Sequence, residues 1–228
     1  MPTISFRDIE IHERENDLVG ASFGRGFFVL DDYSPLRQIS EETLAHEALL
    51  FGVRKALQYV PLRPIDSADK GCLGDGLYVA PNPPFGAVFT YYLKEDLKTA
   101  QAARRAEEME RDKAGKPVGF PGWDRLRAEE GEDKPAIILA VSDADGNVVR
   151  RIEGPASQGI HRLAWDLRYP AVDPVAAEEP EREAWDWTPK GPMVVAGEFT
   201  VRMAKRVAGV LTPLGVDFTA APRDGVIA

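Results

Sequence analysis

The chain has 228 residues, with 28 Lys and Arg against 37 Asp and Glu, for a formal net charge of −9. Its 44% hydrophobic and 29% charged residues suit a folded globular protein, and the acidic balance excludes a chain built to neutralise nucleic-acid phosphates. Cys72 is the sole cysteine, which excludes an intramolecular disulfide and a cysteine-rich zinc site, and no run of about 18 apolar residues offers a membrane span.

The opening Met-Pro-Thr-Ile-Ser-Phe-Arg-Asp has neither the basic segment nor the apolar core of a secretory signal. Either the protein stays inside the cell or Met1 is not the natural beginning of its gene product. Residues 4–11 then alternate apolar and polar, the period of a half-buried strand. Runs at 18–23 and 27–30 add two more strands, separated by Gly24-Arg25-Gly26 at a tight turn. Asp31-Asp32 and Ser34-Pro35 close this unit, whose strands are too few for a stable sheet alone.

Ser40, followed by Glu41 and Glu42, marks a helix start. Leu44, Ala48 and Phe51 give that helix an apolar stripe, and residues 53–60 fit a strand ended by prolines. Residues 61–84, dense in Pro, Gly and Asp, form an irregular connection. The aromatic and β-branched stretch 86–93 predicts a strand. Composition then shifts: 21 of the 41 residues from Lys94 to Lys134 are charged, as expected of a solvated helical hairpin inserted between strands. The first helix covers 97–113, with Arg104/Glu108 and Glu107/Arg111 at i,i+4 spacing, and Trp123 with Leu126 anchors the second. Strands return at 136–141, 148–152 and 160–167, and a closing hairpin spans 198–203 and 210–218. This succession of short strands and turns predicts a β-sandwich.

Motifs that carry chemistry are sparse. The cluster Gly71–Gly76 lacks the following Lys-Ser/Thr and helix start of a phosphate cradle. Asp143 and Asp145 recur as in a calcium loop, but position twelve is Gly154 instead of a bidentate Glu, leaving a hairpin turn. His12, His46 and His161 share no metal-ligand spacing. His161 with Asp166 could complete a serine triad, yet no Gly-x-Ser-x-Gly elbow exposes a nucleophile. Asp31 and Asp32 are the best carboxylate pair for glycoside hydrolysis, but neighbours on a strand point to opposite faces, which favours a turn cap. Trp165 reads as core. Trp185 and Trp187, in the acidic loop 171–190, are the contact-surface candidates: they either stack on sugar rings or fold back over a sheet edge.

The run 8–37, with Phe23-Gly24-Arg25-Gly26 and Leu30-Asp31-Asp32-Tyr33-Ser34-Pro35-Leu36-Arg37, resembles the last blade of large β-propellers with sialidase-type (BNR) repeats. These are related to sortilin propellers and often labelled glycosyl hydrolases. The likeness continues through 80–93, 143–150 and 159–169, and ends at 191–201, similar to the closing hairpin of flagellar-hook-capping-type Ig-like domains. The resemblance implies a C-terminal portion of a longer, exported protein, extracellular or periplasmic. No Asp-box repeat occurs here, so no propeller acid is transferred and no catalytic residue is assigned.

The expected fold is mainly β: an Ig-like β-sandwich with an inserted α-helical hairpin, preceded by a partial propeller blade. The expected boundaries are 1–37 for the blade, 38–84 for a helix and irregular linker, and 85–228 for the sandwich with its insertion at 94–134. The expected role is a non-catalytic accessory module without cofactor or metal. Its partner would be a propeller from another chain or from a missing N-terminal part, or a polysaccharide, with neither nucleic acid nor a membrane span. The alternative is a glycoside hydrolase component or a carbohydrate-binding module using Trp185 and Trp187.

Overall fold

A computed structural model describes residues 3–59, 80, 82–172 and 190–214. The chain is mainly β, with three antiparallel sheets, and divides into two compact units: residues 1–45 with 59–85, and residues 46–58 with 86–228.

In the first unit, β1 (Phe6–His12), β2 (Asp17–Ser22) and β3 (Phe27–Leu30) form an antiparallel meander. The alternating sequence sets the register. Ile9 lies opposite Gly20 and Gly20 opposite Phe28, while Ile11 meets Leu18 and Leu18 meets Leu30. The other face holds Glu10, Val19 and Val29. The β2–β3 turn uses Gly24 and Gly26 at φ of 74° and 89°, a region that glycine enters without a Cβ penalty. A 3-10 turn at Ser34–Gln38 follows, then a five-residue helix α1 (Glu41–Ala45). Ser40 caps α1: its Oγ accepts the Thr43 N–H at 3.1 Å, and its own N–H donates to Thr43 Oγ1 at 2.7 Å.

The second unit begins earlier than the sequence suggests. The expected helical stripe through Ala48 and Phe51 is instead β4 (Ala48–Leu50), and residues 53–59 form no strand. The reason is burial. Leu49, Leu50 and Phe51 are all buried, and a four-residue apolar run fits a short strand paired to β5 (Ala87–Leu93) better than one stripe of a helix. After β5 come α2 (Ala100–Lys113) and α3 (Trp123–Glu130), the helices expected between these strands. Strands β6 (Ala136–Ser142), β7 (Val148–Gly154), β8 (Gly159–Trp165), β9 (Thr200–Val207) and β10 (Val210–Pro213) complete the unit. One sheet has the order β4-β5-β8 and the other β10-β9-β6-β7.

Period-2 patterning puts Phe89, Tyr91 and Leu93 of β5 inward, with Ile137, Leu139 and Val141 of β6, Val201 and Met203 of β9, and Trp165 of β8. Contacts join the two sheets. The Trp165 and Phe199 rings stack edge-on at 5.2 Å, and the Tyr91 hydroxyl donates to the Pro155 carbonyl at 2.7 Å. Burial pushes the Tyr91 phenol up to about 12, so it stays protonated and remains a donor. The segment around Val194 is clipped on by its N–H to the Leu167 carbonyl at 2.8 Å and by Gln58 Nε2 to the Val194 carbonyl at 2.9 Å.

Two glycines separate backbone strain from crowding. Gly146, in the β6–β7 turn, has φ +85° and open space around a would-be Cβ, whereas Gly86, at φ +105°, would place a Cβ 1.9 Å from the Trp165 carbonyl oxygen. Gly146→Ala should therefore cost about 1–2 kcal/mol from the left-handed backbone alone. Gly86→Ala should cost about 3 kcal/mol or more, because β5 must also part from β8. Urea unfolding followed by circular dichroism checks the order; equal losses would contradict it.

Candidate functional site

Asp32, at φ +41°, accepts the Ser34 N–H and hydroxyl on Oδ1 at 3.2 and 2.6 Å, and its own N–H donates to Asp17 Oδ1 at 2.9 Å. It is a turn cap. Asp143 does the same in the β6–β7 hairpin, where its Oδ1 accepts the Asp145 and Asn147 N–H groups at 3.1 and 2.8 Å. Burial alone would raise the Asp143 carboxyl, but hydrogen bonds from Asn147 and from the Asp145 and Gly146 backbone outweigh it and hold it below the usual range.

His161 lies on β8 against Tyr91, ring centroids 5.2 Å apart. Its Nε2 is 3.5 Å from Ser157 Oγ but only 2.6 Å from the Ser157 carbonyl oxygen. A nitrogen facing a carbonyl carries the proton, so it cannot take one from the hydroxyl, and no bond joins His161 to Asp166 among the described residues. Trp165 is buried, with its Nε1 donating to the Arg168 carbonyl at 3.0 Å. Trp185, Trp187 and the Gly71–Gly76 cluster lie outside the described residues. Among the described residues no group of three or more His, Cys, Asp or Glu is placed to hold a metal ion, and no helix is long and apolar enough to cross a membrane.

Two surfaces stand out instead. One is the sheet of the first unit, where Gly20 and Pro35 are the only buried residues among those described. Large apolar side chains sit on both of its faces: Ile9 is 55% exposed on one and Phe27 is 78% exposed on the other.

The other is the α2–α3 insertion. Arg104 and Glu129, 9% and 7% exposed, are its interior. Arg104 Nε and Nη2 each donate to Glu129 Oε2, at 3.0 and 2.8 Å, and Nη1 donates to Glu108 at 2.7 Å. These bonds hold the Arg104 guanidinium charged and pull the Glu129 carboxyl below its ordinary range. Trp123, expected to anchor α3, is instead 69% exposed, because α3 is two turns long and spends its inward position on Glu129. The Trp123 ring stacks edge-on against Phe120, 65% exposed, at 5.2 Å. Beside this pair a cleft of about 270 Å³ opens between the helices, with Arg111, Glu107 and Phe120 in its wall. The expected i,i+4 pair Arg104/Glu108 forms, whereas Glu107 and Arg111 make no ion pair among the described residues. Exposed Phe and Trp in a charged stretch are the one sequence signal that could have marked this cleft.

Comparison with protein-family models, curated proteins and solved structures returned no match.

The lowered Glu129 carboxyl stabilises the folded hairpin above its unfolded value near 4.5, and that contribution disappears as pH falls through the depressed folded value. Helical ellipticity at neutral pH should persist and then fall on acidification below about 4.5. Glu129→Gln should be less helical at neutral pH and flatter over the acid range. A variant with the wild-type acid profile would show that Arg104–Glu129 does not hold the helices together.

Proposed function

We propose that the chain is a non-catalytic accessory module that docks through its first unit onto a larger β-sheet assembly. The observation that carries the reading is the three-stranded sheet with apolar side chains on both faces and almost nothing buried. Antiparallel sheets that face water commonly keep one face polar, whereas this sheet exposes Ile9 and Ile11 on one face and Phe27 and Val29, beside Asp8 and Glu10, on the other, which suits a sheet covered on both. Its outer strands β1 and β3 have no further strand beside them among the described residues, and such edges template pairing with another sheet. The likeness of residues 8–37 to a last propeller blade supplies the kind of assembly: stacked blades cover both faces of each sheet. A propeller from another chain or from a preceding segment is the partner in this reading.

We read the second unit as an Ig-like β-sandwich serving as the rigid body. Seven antiparallel strands divided three and four, buried side chains meeting between the sheets, and the order β4-β5-β8 against β10-β9-β6-β7 support that reading.

Hydrogen exchange on the intact chain tests the docking role. Without its partner, the first unit should exchange the amides of β2 about a hundredfold faster than those of β5 and β6, and Phe27→Ser with Ile9→Ser should reduce binding of an apolar dye. Protection of β2 equal to that of β5 in a monomer would mean the sheet needs no partner. Glycosidase turnover abolished by substituting one acid would overturn the non-catalytic role.

A further inference from the structure

We propose that the cleft between α2 and α3 is a binding site for a neutral, hydroxyl-rich ligand of the carbohydrate class. Three observations converge there. The first is aromatic: Phe120 lines the cleft, and Trp123, outside the lining, packs against it with ring planes at 66°, both rings presenting most of their surface to water. Pro121 and Gly122 (φ +92°) set the turn between them. A preformed pair of rings loses little freedom on binding and offers faces for the C–H side of a sugar ring.

The second is the alternation of charge on the wall. Glu107 and Arg111 stand one turn apart on α2 and are not bonded to each other, while Arg104 and Arg125 are held by Glu129 and Glu108. An anion drawn to Arg111 would meet Glu107, and a cation drawn to Glu107 would meet Arg111. A hydroxyl pair has no such conflict, since one oxygen accepts from the guanidinium while its neighbour donates to the carboxylate.

The third is size and rigidity. A cleft of about 270 Å³ is at the lower end of those that hold small organic ligands. Arg104 lines it, and the three hydrogen bonds from Arg104 to Glu129 behind it leave the helices little room to slide. The same pair leaves Arg111 and Glu107 as the polar groups open to a newcomer.

Saturation-transfer NMR and calorimetry on the intact chain, with maltose, cellobiose and chitobiose up to about 10 mM, provide the test. Digalacturonate and an acidic peptide serve as charged comparators. At least one neutral disaccharide should bind, with its Kd raised about tenfold by Trp123→Ala or Phe120→Ala, and Arg111→Ala should weaken it as well. Both rings are exposed, so far-UV circular dichroism of these variants should match wild type. Failure of all three disaccharides to bind, affinity indifferent to both ring substitutions, or tighter binding of a charged comparator would each overturn the proposal.

Discussion

β5 is hemmed in on every side, and the second unit is organised around that confinement. β4 pairs with it along one edge and β8 along the other, from Ala87 opposite Trp165 to Leu93 opposite Gly159. Its inward side chains are all buried, and Thr90, on the opposite face, is buried too. A strand so enclosed must find a partner for each polar group it carries. Tyr91 sends its hydroxyl to the Pro155 carbonyl, and the Thr90 carbonyl accepts the Phe51 N–H at 2.9 Å. The close approach of Gly154 to Tyr91 and Leu163, where a Cβ would lie 2.6 and 2.5 Å from their side chains, follows from the same crowding.

That crowding also explains which parts of the fold were legible beforehand. Strands whose two faces differ in polarity announce themselves, and β1, β5, β6 and β7 fall where alternation and turn residues put them. β4 was hidden because three residues are too few to tell the strand period of two from the helix period of 3.6, and Ser40 with two acids advertises a helix that Ala45 already ends. In the insertion, Glu- and Arg-rich composition gave the helices but misplaced their interior. A buried ion pair leaves no hydrophobic trace, so the sequence points to Trp123 as the anchor where Arg104 and Glu129 hold that place. The capping roles of Asp32 and Asp143 were legible, since short acids before Ser, Gly and Asn bond their own backbone wherever the turn occurs. The cleft was not, because it depends on which way two helices face.

The two units differ in what their sequences ask for. Strands β5 and β8 spend Phe89, Tyr91 and Trp165 inward, as a self-sufficient core does. Residues 6–30 spend theirs on both sides of a sheet only three strands wide. Small sheets of that kind bury too little by themselves to offset chain entropy, which is why the docking reading rests on this unit and not on any assembled group of reactive side chains.

One bond at the base of the helical insertion has a further consequence. The Ala100 N–H donates to Glu132 Oε2 at 2.7 Å, while Thr99 caps the same helix through the Ala102 N–H at 3.0 Å. The first residue of α2 and the chain leaving α3 are therefore fastened together, and Leu97 is tied to the Ala156 carbonyl just outside. The entropic cost of closing a segment whose two ends are pinned side by side grows only slowly with its length. Between β5 and β6 the chain can thus be shortened, lengthened or exchanged with little effect on the strands, making this stretch a natural place for lineages to diverge and for a foreign hairpin to be grafted.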